Sequence, residues 1–233
     1  MRGLFITGTD TDVGKTWMTA SIASQLLARN EHKIGLYKPA CSGSVRNEEG
    51  RLYWPDLEHL YIALREQFPR DRICPQTFEA PLAPPVAAAA EEKQIDSELL
   101  RTGIDWWRER VDMLLVEGVG GWYCPLSEDE MVADFATELA FPVVIVARLG
   151  LGTINHTLLT LDAVRSRGLT VAGVILNEPV ALEGDASVES NAEQIERWGK
   201  TSVLGISRHD QHYQPRQTEE TDWFGLSVES SRT

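Results

Sequence analysis

Apolar residues follow two rhythms along this chain. Residues 4–7, 34–38, 111–116, 142–147, 171–176 and 203–206 form nearly unbroken apolar runs of four to six residues. Such runs are too short for helices and read as buried strands. Between them the apolar positions recur at helical spacing. The predicted helices cover 17–28, 57–67, 96–110, 131–139, 153–167 and 190–198. Asp96 and Thr153 are their candidate N-caps, and Ser190-x-x-Glu193 has the form of a capping box. Residues 73–86 carry Pro75, Pro81, Pro84 and Pro85 and read as irregular, with Ala87 to Ala90 as the start of a short helix.

This alternation implies βαβ units. The fold class is α/β, a single-domain mostly parallel sheet with helices on both faces. The run 142–147 is the most continuous and belongs at the centre of the sheet. The pattern ends near residue 206, so the domain spans 1–206. Residues 207–233 form a polar tail, expected to be partly disordered, that only Trp223, Phe224 and Leu226 can anchor.

The first strand and helix enclose the most informative segment, Gly8-Thr-Asp-Thr-Asp-Val-Gly14-Lys15-Thr16. Strand, glycine-bounded loop closing on Gly-Lys-Thr, then helix is the setting of a phosphate-binding P-loop. Backbone N–H groups there converge on an anion. Lys15 adds charge for the outer phosphates, and the Thr16 hydroxyl suits magnesium. Five residues rather than the usual four separate Gly8 from Gly14.

The net charge of −13 over 233 residues argues against nucleic-acid or anionic-membrane partners. No apolar run approaches a membrane span, and no targeting segment fits before the first strand. Cys41, Cys74 and Cys124 form no C-x-x-C pair and read as reduced thiols of a soluble cytoplasmic protein.

Open α/β sheets bind ligands beyond the carboxyl ends of their strands. Lys38, Glu117, Arg148 and Asn177 all lie at or just past such ends. Glu117 occupies the place of a magnesium-associated carboxylate. Asp56 is a second metal candidate or a helix cap. Gly118, Gly120 and Gly121 permit close backbone approach or a tight turn. Lys38 is positioned to share a site with Lys15, where two ammonium groups would neutralise a transferred phosphoryl group and a second anion. The hydroxyls of Thr11 and Ser42 could hold that second substrate. The Asn177 amide offers the donor and acceptor that match an adenine edge.

These residues resemble the dethiobiotin synthetases, through residues 8–16, Tyr37-Lys-Pro-Ala-Cys-Ser-Gly43, Thr77-Phe78 with Pro81 and Pro84, Val116-Glu-Gly-Val-Gly-Gly-Trp122 with Pro125-Leu126, and Gly152-Thr-Ile-Asn-His156. The resemblance runs from residue 3 to about 206, and the family's loop has the same extra residue. It implies a P-loop nucleoside triphosphate hydrolase-like ligase that uses ATP, Mg2+ and CO2 or bicarbonate to close a cyclic urea on 7,8-diaminononanoate in biotin biosynthesis. On this basis Lys15, Lys38 and Thr11 are catalytic, and Thr11, Lys38 and Ser42 hold the diamine or its carbamate. Asp12, Val13, Gly14, Lys15, Thr16, Trp17, Asp56, Glu117, Gly118, Val119, Gly120, Asn177 and Glu178 bind nucleotide. Ser207, Arg208 and His209 lie at its base, and Thr16, Asp56 and Glu117 hold the metal. Family members are homodimers in which the second subunit's segment equivalent to Gly152, Thr153, Ile154 and Asn155 helps bind substrate carboxylate.

Three departures stand out: Asp12 replaces a common glutamate, Pro85 a histidine, and Ser207-Arg208-His209 an Ile-Pro-type continuation. Two other readings are an ATPase switch of the partitioning or septum-positioning type, from the same P-loop branch, and an amidating synthetase. The first usually has a second lysine within the loop, and the second needs a glutaminase domain that this chain is too short to hold.

Overall fold

Six parallel strands cross the centre of the molecule: β1 (Arg2–Gly8), β2 (Ile34–Tyr37), β3 (Met113–Glu117), β4 (Val143–Arg148), β5 (Val171–Asn177) and β6 (Val203–Ser207). Their spatial order is β2-β3-β1-β4-β5-β6, and every neighbouring pair is parallel. The computed structural model describes residues 1–182, 184–209, 214–215 and 221–229. β1, β3 and β4 are almost wholly enclosed, as their continuous Val, Leu and Ile content requires of strands covered on both faces. β4 lies against β1 at the centre, as its apolar run predicts.

The covering helices are α1 (Lys15–Arg29), α2 (Pro55–Ala63), α3 (Pro84–Ala90), α4 (Ser97–Asp105), α5 (Val132–Leu139), α6 (Thr153–Ser166) and α7 (Asn191–Gly199). Asp96 caps α4 as expected, its carboxylate accepting from Leu99 N–H at 2.9 Å. Two other predicted caps are corrected. Gly152, at φ 92°, is the cap of α6, and Thr153 is its first residue. Ser190 precedes α7, but its hydroxyl turns back to the Ser187 carbonyl, so no capping box forms.

Helix α2 stops at Ala63 rather than 67, because Arg65 and Glu66 take left-handed conformations. Within the proline-rich stretch, α3 begins earlier than expected, at Pro84. Proline fits the first turn of a helix, where its missing N–H has no intrahelical partner to lose. The same stretch supplies Thr77–Phe78, which pairs in parallel with Cys41–Ser42.

Residues beyond 206 contribute directly to the sheet. Gln214–Pro215 pairs antiparallel with β6, and Val228–Glu229 pairs antiparallel with Arg2 and Gly3 of β1. β4 begins opposite only Phe5, so the late pair fills the edge that β4 leaves open. Trp223 is fully buried, and its indole N–H donates to Gln25 Oε1 on α1 at 3.0 Å. Phe224 stacks on His32 with ring centroids 3.7 Å apart. These are two of the aromatic anchors expected from the tail. The rest of the tail, residues 210–213, 216–220 and 230–233, lies outside the described residues. Among the described residues, no helix is long and apolar enough to cross a membrane.

Candidate nucleotide and metal site

The turn from β1 into α1 builds the first wall. Thr9 N–H donates to the Val146 carbonyl of β4 at 3.0 Å, which fixes where the loop leaves the sheet. Asp12 adopts φ 56° and Gly14 φ 91°. Aspartate tolerates that left-handed region better than most side chains, which suits the departure at position 12. At Gly14 a side chain has no room, since an added Cβ would lie 2.0 Å from Asn177 Nδ2. Among the described residues no side chain caps α1, and its first turn carries no acidic residue, so its N–H groups can meet an anion at the loop.

The loop is braced from both sides. Asn177, at the end of β5, donates from Nδ2 to the Val13 carbonyl at 2.8 Å, and Arg148 donates to the Thr11 carbonyl at 3.2 Å. Lys15 Nζ donates to the Asp10 carbonyl at 3.0 Å across the loop. Burial lowers its pKa from the usual 10.5. Glu117 opposes that shift and Lys38 adds to it.

The floor is made by the ends of β2 and β3 and the first turn of α2. Trp54 fixes the entry to α2 by donating its indole N–H to the Phe78 carbonyl at 2.8 Å. Asp56 thus lies inside the first turn rather than at the cap, which is Trp54. Lys38 Nζ is 2.8 Å from Glu117 Oε1 and 3.3 Å from Thr16 Oγ1, and is also paired with Asp56 Oδ2. Thr16 donates its hydroxyl to the same Glu117 oxygen at 2.6 Å.

Burial alone would lower the pKa of Lys38. Glu117, then Asp56, outweighs burial and holds the ammonium well above its usual value. Asp56 is likewise held below the usual carboxylate range: burial would raise it, and Lys38 more than reverses that. Asp56 is 45% exposed and Glu117 is fully enclosed, so solvent screens the first pair far more than the second. Glu117 Oε2 is buried without a hydrogen-bond partner among the described residues.

Above this floor opens a cavity of about 620 Å³. It brings together Thr11, Asp12, Gly14, Lys15, Thr16, Trp17, Lys38, Ser42, Asp56, Val119 and Gly120 from the expected set. Val13 and Glu117 are enclosed beneath it, and Gly118 sits behind, where an added Cβ would touch Val132. The Ser42 hydroxyl is committed to the Leu82 carbonyl at 2.7 Å.

The cavity wall also includes His59, Pro81, Leu82, Ala83 and Cys124, none expected as a site residue. Of residues 81–83, Pro81 entered the resemblance, and the proline pattern was the only other sequence signal. His59 follows Asp56 by three residues, one helical turn, so periodicity could have found it.

Other expected residues lie outside this wall. Gly152, Thr153, Ile154 and Asn155 form the start of α6, where Leu151 is 86% exposed. Glu178 accepts from Leu182 N–H at 2.8 Å and faces Arg208 at 3.7 Å. Ser207 is buried opposite Asn177, and His209 N–H donates to Glu178 at 3.3 Å. These four residues gather at the tips of β5 and β6, beyond the brace that Asn177 makes to the loop.

A parallel sheet with a phosphate loop after its first strand, and carboxylates beside the loop's threonine, defines a P-loop nucleotide-binding protein. In agreement, residues 2–214 match the model of the AAA domain family. Relatives narrow the class. An ATP-dependent dethiobiotin synthetase of Anaeromyxobacter sp. (strain Fw109-5) is 42% identical, over 93% of this chain and 94% of that protein. That of Bacillus subtilis (strain 168) is 39% identical, over 89% and 87%. The chain belongs to the ATP-dependent dethiobiotin synthetase family.

Solved structures agree on the fold alone. The signal recognition particle 54 kDa protein of Aeropyrum pernix superposes with a TM-score of 0.53 at 13% identity, over 91% of this chain and 43% of that one. The cell division ATPase MinD of Pyrococcus furiosus gives 0.50 at 15%, over 88% and 83%. Likeness to MinD at that level does not favour the ATPase-switch reading over near-full-length synthetase relatives.

Proposed function

We propose that this chain closes the cyclic urea of dethiobiotin from 7,8-diaminononanoate, CO2 and ATP, releasing ADP and phosphate. The observation that supports it best is the convergence of Lys15, Lys38, Thr16, Asp56 and Glu117 on one cavity. The reaction brings two anions together, because an amine that has taken up CO2 is a carbamate and its oxygen must attack the terminal phosphate of ATP. Cationic groups on both walls offset that repulsion. The second amine then closes the ring and expels phosphate.

In this reading the N–H groups of the loop and the first turn of α1 hold the triphosphate. Lys15 faces its outer phosphates, and Lys38 stabilises charge on the transferred group and the carbamate. Thr11 and Ser42 position the diamine, with the Ser42 hydroxyl exchanging its bond to Leu82.

The residues fit a magnesium ion. A hydroxyl and two carboxylates, one with a buried oxygen lacking a partner, leave the remaining positions of an octahedron for phosphate and water. Among the described residues no group of three His, Cys, Asp or Glu side chains could hold a metal alone, in keeping with an ion that arrives with phosphate. Thr16, Asp56 and Glu117 would hold it, and it would draw charge from the phosphate oxygens.

Asn177 has one amide hydrogen committed to the loop; its remaining donor and acceptor suit an adenine edge. Glu178, Ser207, Arg208 and His209 flank that end of the nucleotide. The start of α6, with Leu151 and Leu159 exposed beside it, suits a homodimer interface through which Gly152 to Asn155 of a second copy would meet substrate carboxylate. Three free cysteines fit a cytoplasmic protein.

The test is phosphate release from ATP with magnesium and bicarbonate, with and without 7,8-diaminononanoate. Diamine-dependent release with a cyclic-urea product by mass is the expected result. Release indifferent to the diamine would return the protein to the ATPase-switch class.

A further inference from the structure

The cation seated on the floor of the cavity is the protein's own. Lys38 Nζ lies 2.8 Å from Glu117 Oε1 and 3.3 Å from Thr16 Oγ1, and is bonded to Asp56. These are the three groups that the proposed function gives to magnesium. A magnesium ion binds such oxygens at about 2.1 Å, so an ion on Thr16 and Glu117 would lie in the volume that the ammonium fills. Like charges so close, beside a fully enclosed carboxylate, repel too strongly to share it.

Two further observations bear on which cation the cradle suits. Glu117 Oε2 is buried and has no partner, so a single ammonium leaves part of the carboxylate unmatched. The Lys38 main chain is fixed by its N–H bond to the Ile73 carbonyl at 2.8 Å, whereas its stem is four flexible carbons lining the open cavity. The side chain has somewhere to go, and the backbone does not.

We propose that Lys38 and the divalent ion are alternative occupants of one cradle, so that metal loading ejects the ammonium upward to where the anionic reactants meet. The proposal rests on the reading of Thr16, Asp56 and Glu117 as metal ligands. It makes Lys38 available to the reaction only after the metal is in place.

Free Mn2+ measured by electron paramagnetic resonance, without nucleotide, tests it. Lys38→Met is expected to bind Mn2+ more tightly than the unaltered protein, by about tenfold or more, since a buried competing charge is gone. Adding Glu117→Gln to Lys38→Met should abolish the gain. Lys38→Met binding no tighter than the unaltered protein overturns the exchange. If the unaltered protein with ADP still binds Mn2+ in a Glu117-dependent way, the metal assignment survives that failure. A gain that persists in the double variant overturns both.

A second measurement reads the unaltered cradle, with the charge-conserving Lys38→Arg used only to assign the signal. In lysine-15N-labelled protein the Lys38 ammonium signal, identified by its loss in Lys38→Arg, should shift with Mg2+ and ADP together and not with ADP alone. An unmoved signal overturns the proposal.

Discussion

Two lysines reach the cavity, one from its loop wall and one from its floor, and their surroundings differ in kind. Lys15 stands on the first turn of α1, bonded to a neutral carbonyl of its own loop, and burial lowers its pKa. Lys38 ends the neighbouring stretch of β2 between two carboxylates, which hold it firmly charged. The first lysine has no carboxylate bonded to it among the described residues, so an incoming phosphate improves its environment. The second is already compensated, so its partners must be given something else before it can act. One site therefore contains a cation that waits for substrate and a cation that waits for another cation.

The largest effect should come from breaking the compensated side. Lys38→Gln is expected to lower turnover by about 10²- to 10³-fold, the usual cost of one preorganised charge-stabilising group. Its Kd for ATP measured without metal should stay within a few-fold. Steady-state kinetics beside calorimetry separates the two, and normal turnover would remove Lys38 from the chemistry. Lys15→Gln should do the converse, weakening ATP binding by about tenfold to a hundredfold through loss of a charge-assisted hydrogen bond. Unchanged affinity would place phosphate binding elsewhere.

A smaller effect sharpens the role of the brace. Asn177→Ala frees the Val13 carbonyl and should raise the ATP requirement by about five- to tenfold, with magnesium dependence unchanged. An equal rise with every nucleotide would make Asn177 a loop brace alone; a rise confined to adenine nucleotides would make it a reader of the base.

The smallest effect comes from an ordinary surface pair. Asp134 accepts from Met131 N–H, which chiefly lowers its pKa below the usual 3.8, and it pairs with Arg167 at 2.6 Å. A depressed carboxylate stabilises the fold above its unfolded pKa and loses that effect as pH falls through its folded value. Asp134→Asn should cost about 0.5 kcal/mol at neutral pH and nothing once the pH is well below 3.8. Denaturant melts at the two pH values check this. A constant difference would mean that the charge is irrelevant.

Most of this architecture could be read from local rules. Buried strands carry continuous apolar runs, and the loop of residues 8–16 sits between a strand and a helix that announce themselves. Lys38, Glu117 and Asn177 were legible because position at a strand end is visible in sequence. Their bonds were not. Nothing in residue 177 says that its amide holds Val13, or in residue 38 that its ammonium lies on the groups proposed for the metal, because both depend on the sheet order that sets β5 and β2 around β1. The failed caps have the same cause in miniature. Ser190 and Thr153 carry cap-forming side chains, yet the preceding turns direct each hydroxyl elsewhere. His59, Leu82 and Ala83 were missed because they line the cavity through tertiary contact, and Pro81 entered only as part of the resemblance and not as a site residue.

The pairing of Val228–Glu229 with Arg2 and Gly3 also sets an order in time. Arg2 and Ser227 are bonded across 225 positions of sequence. During synthesis β1 is made before residues 228–229, so one stretch of its edge has no partner until the intervening chain has been translated. Contacts of such long span form late, since the intervening chain must already be compact. The nascent protein thus carries an open β-edge at the end of β1 away from its phosphate loop, a place where two growing chains could pair wrongly. Residues 228–229 close that edge only after the chain between has been made.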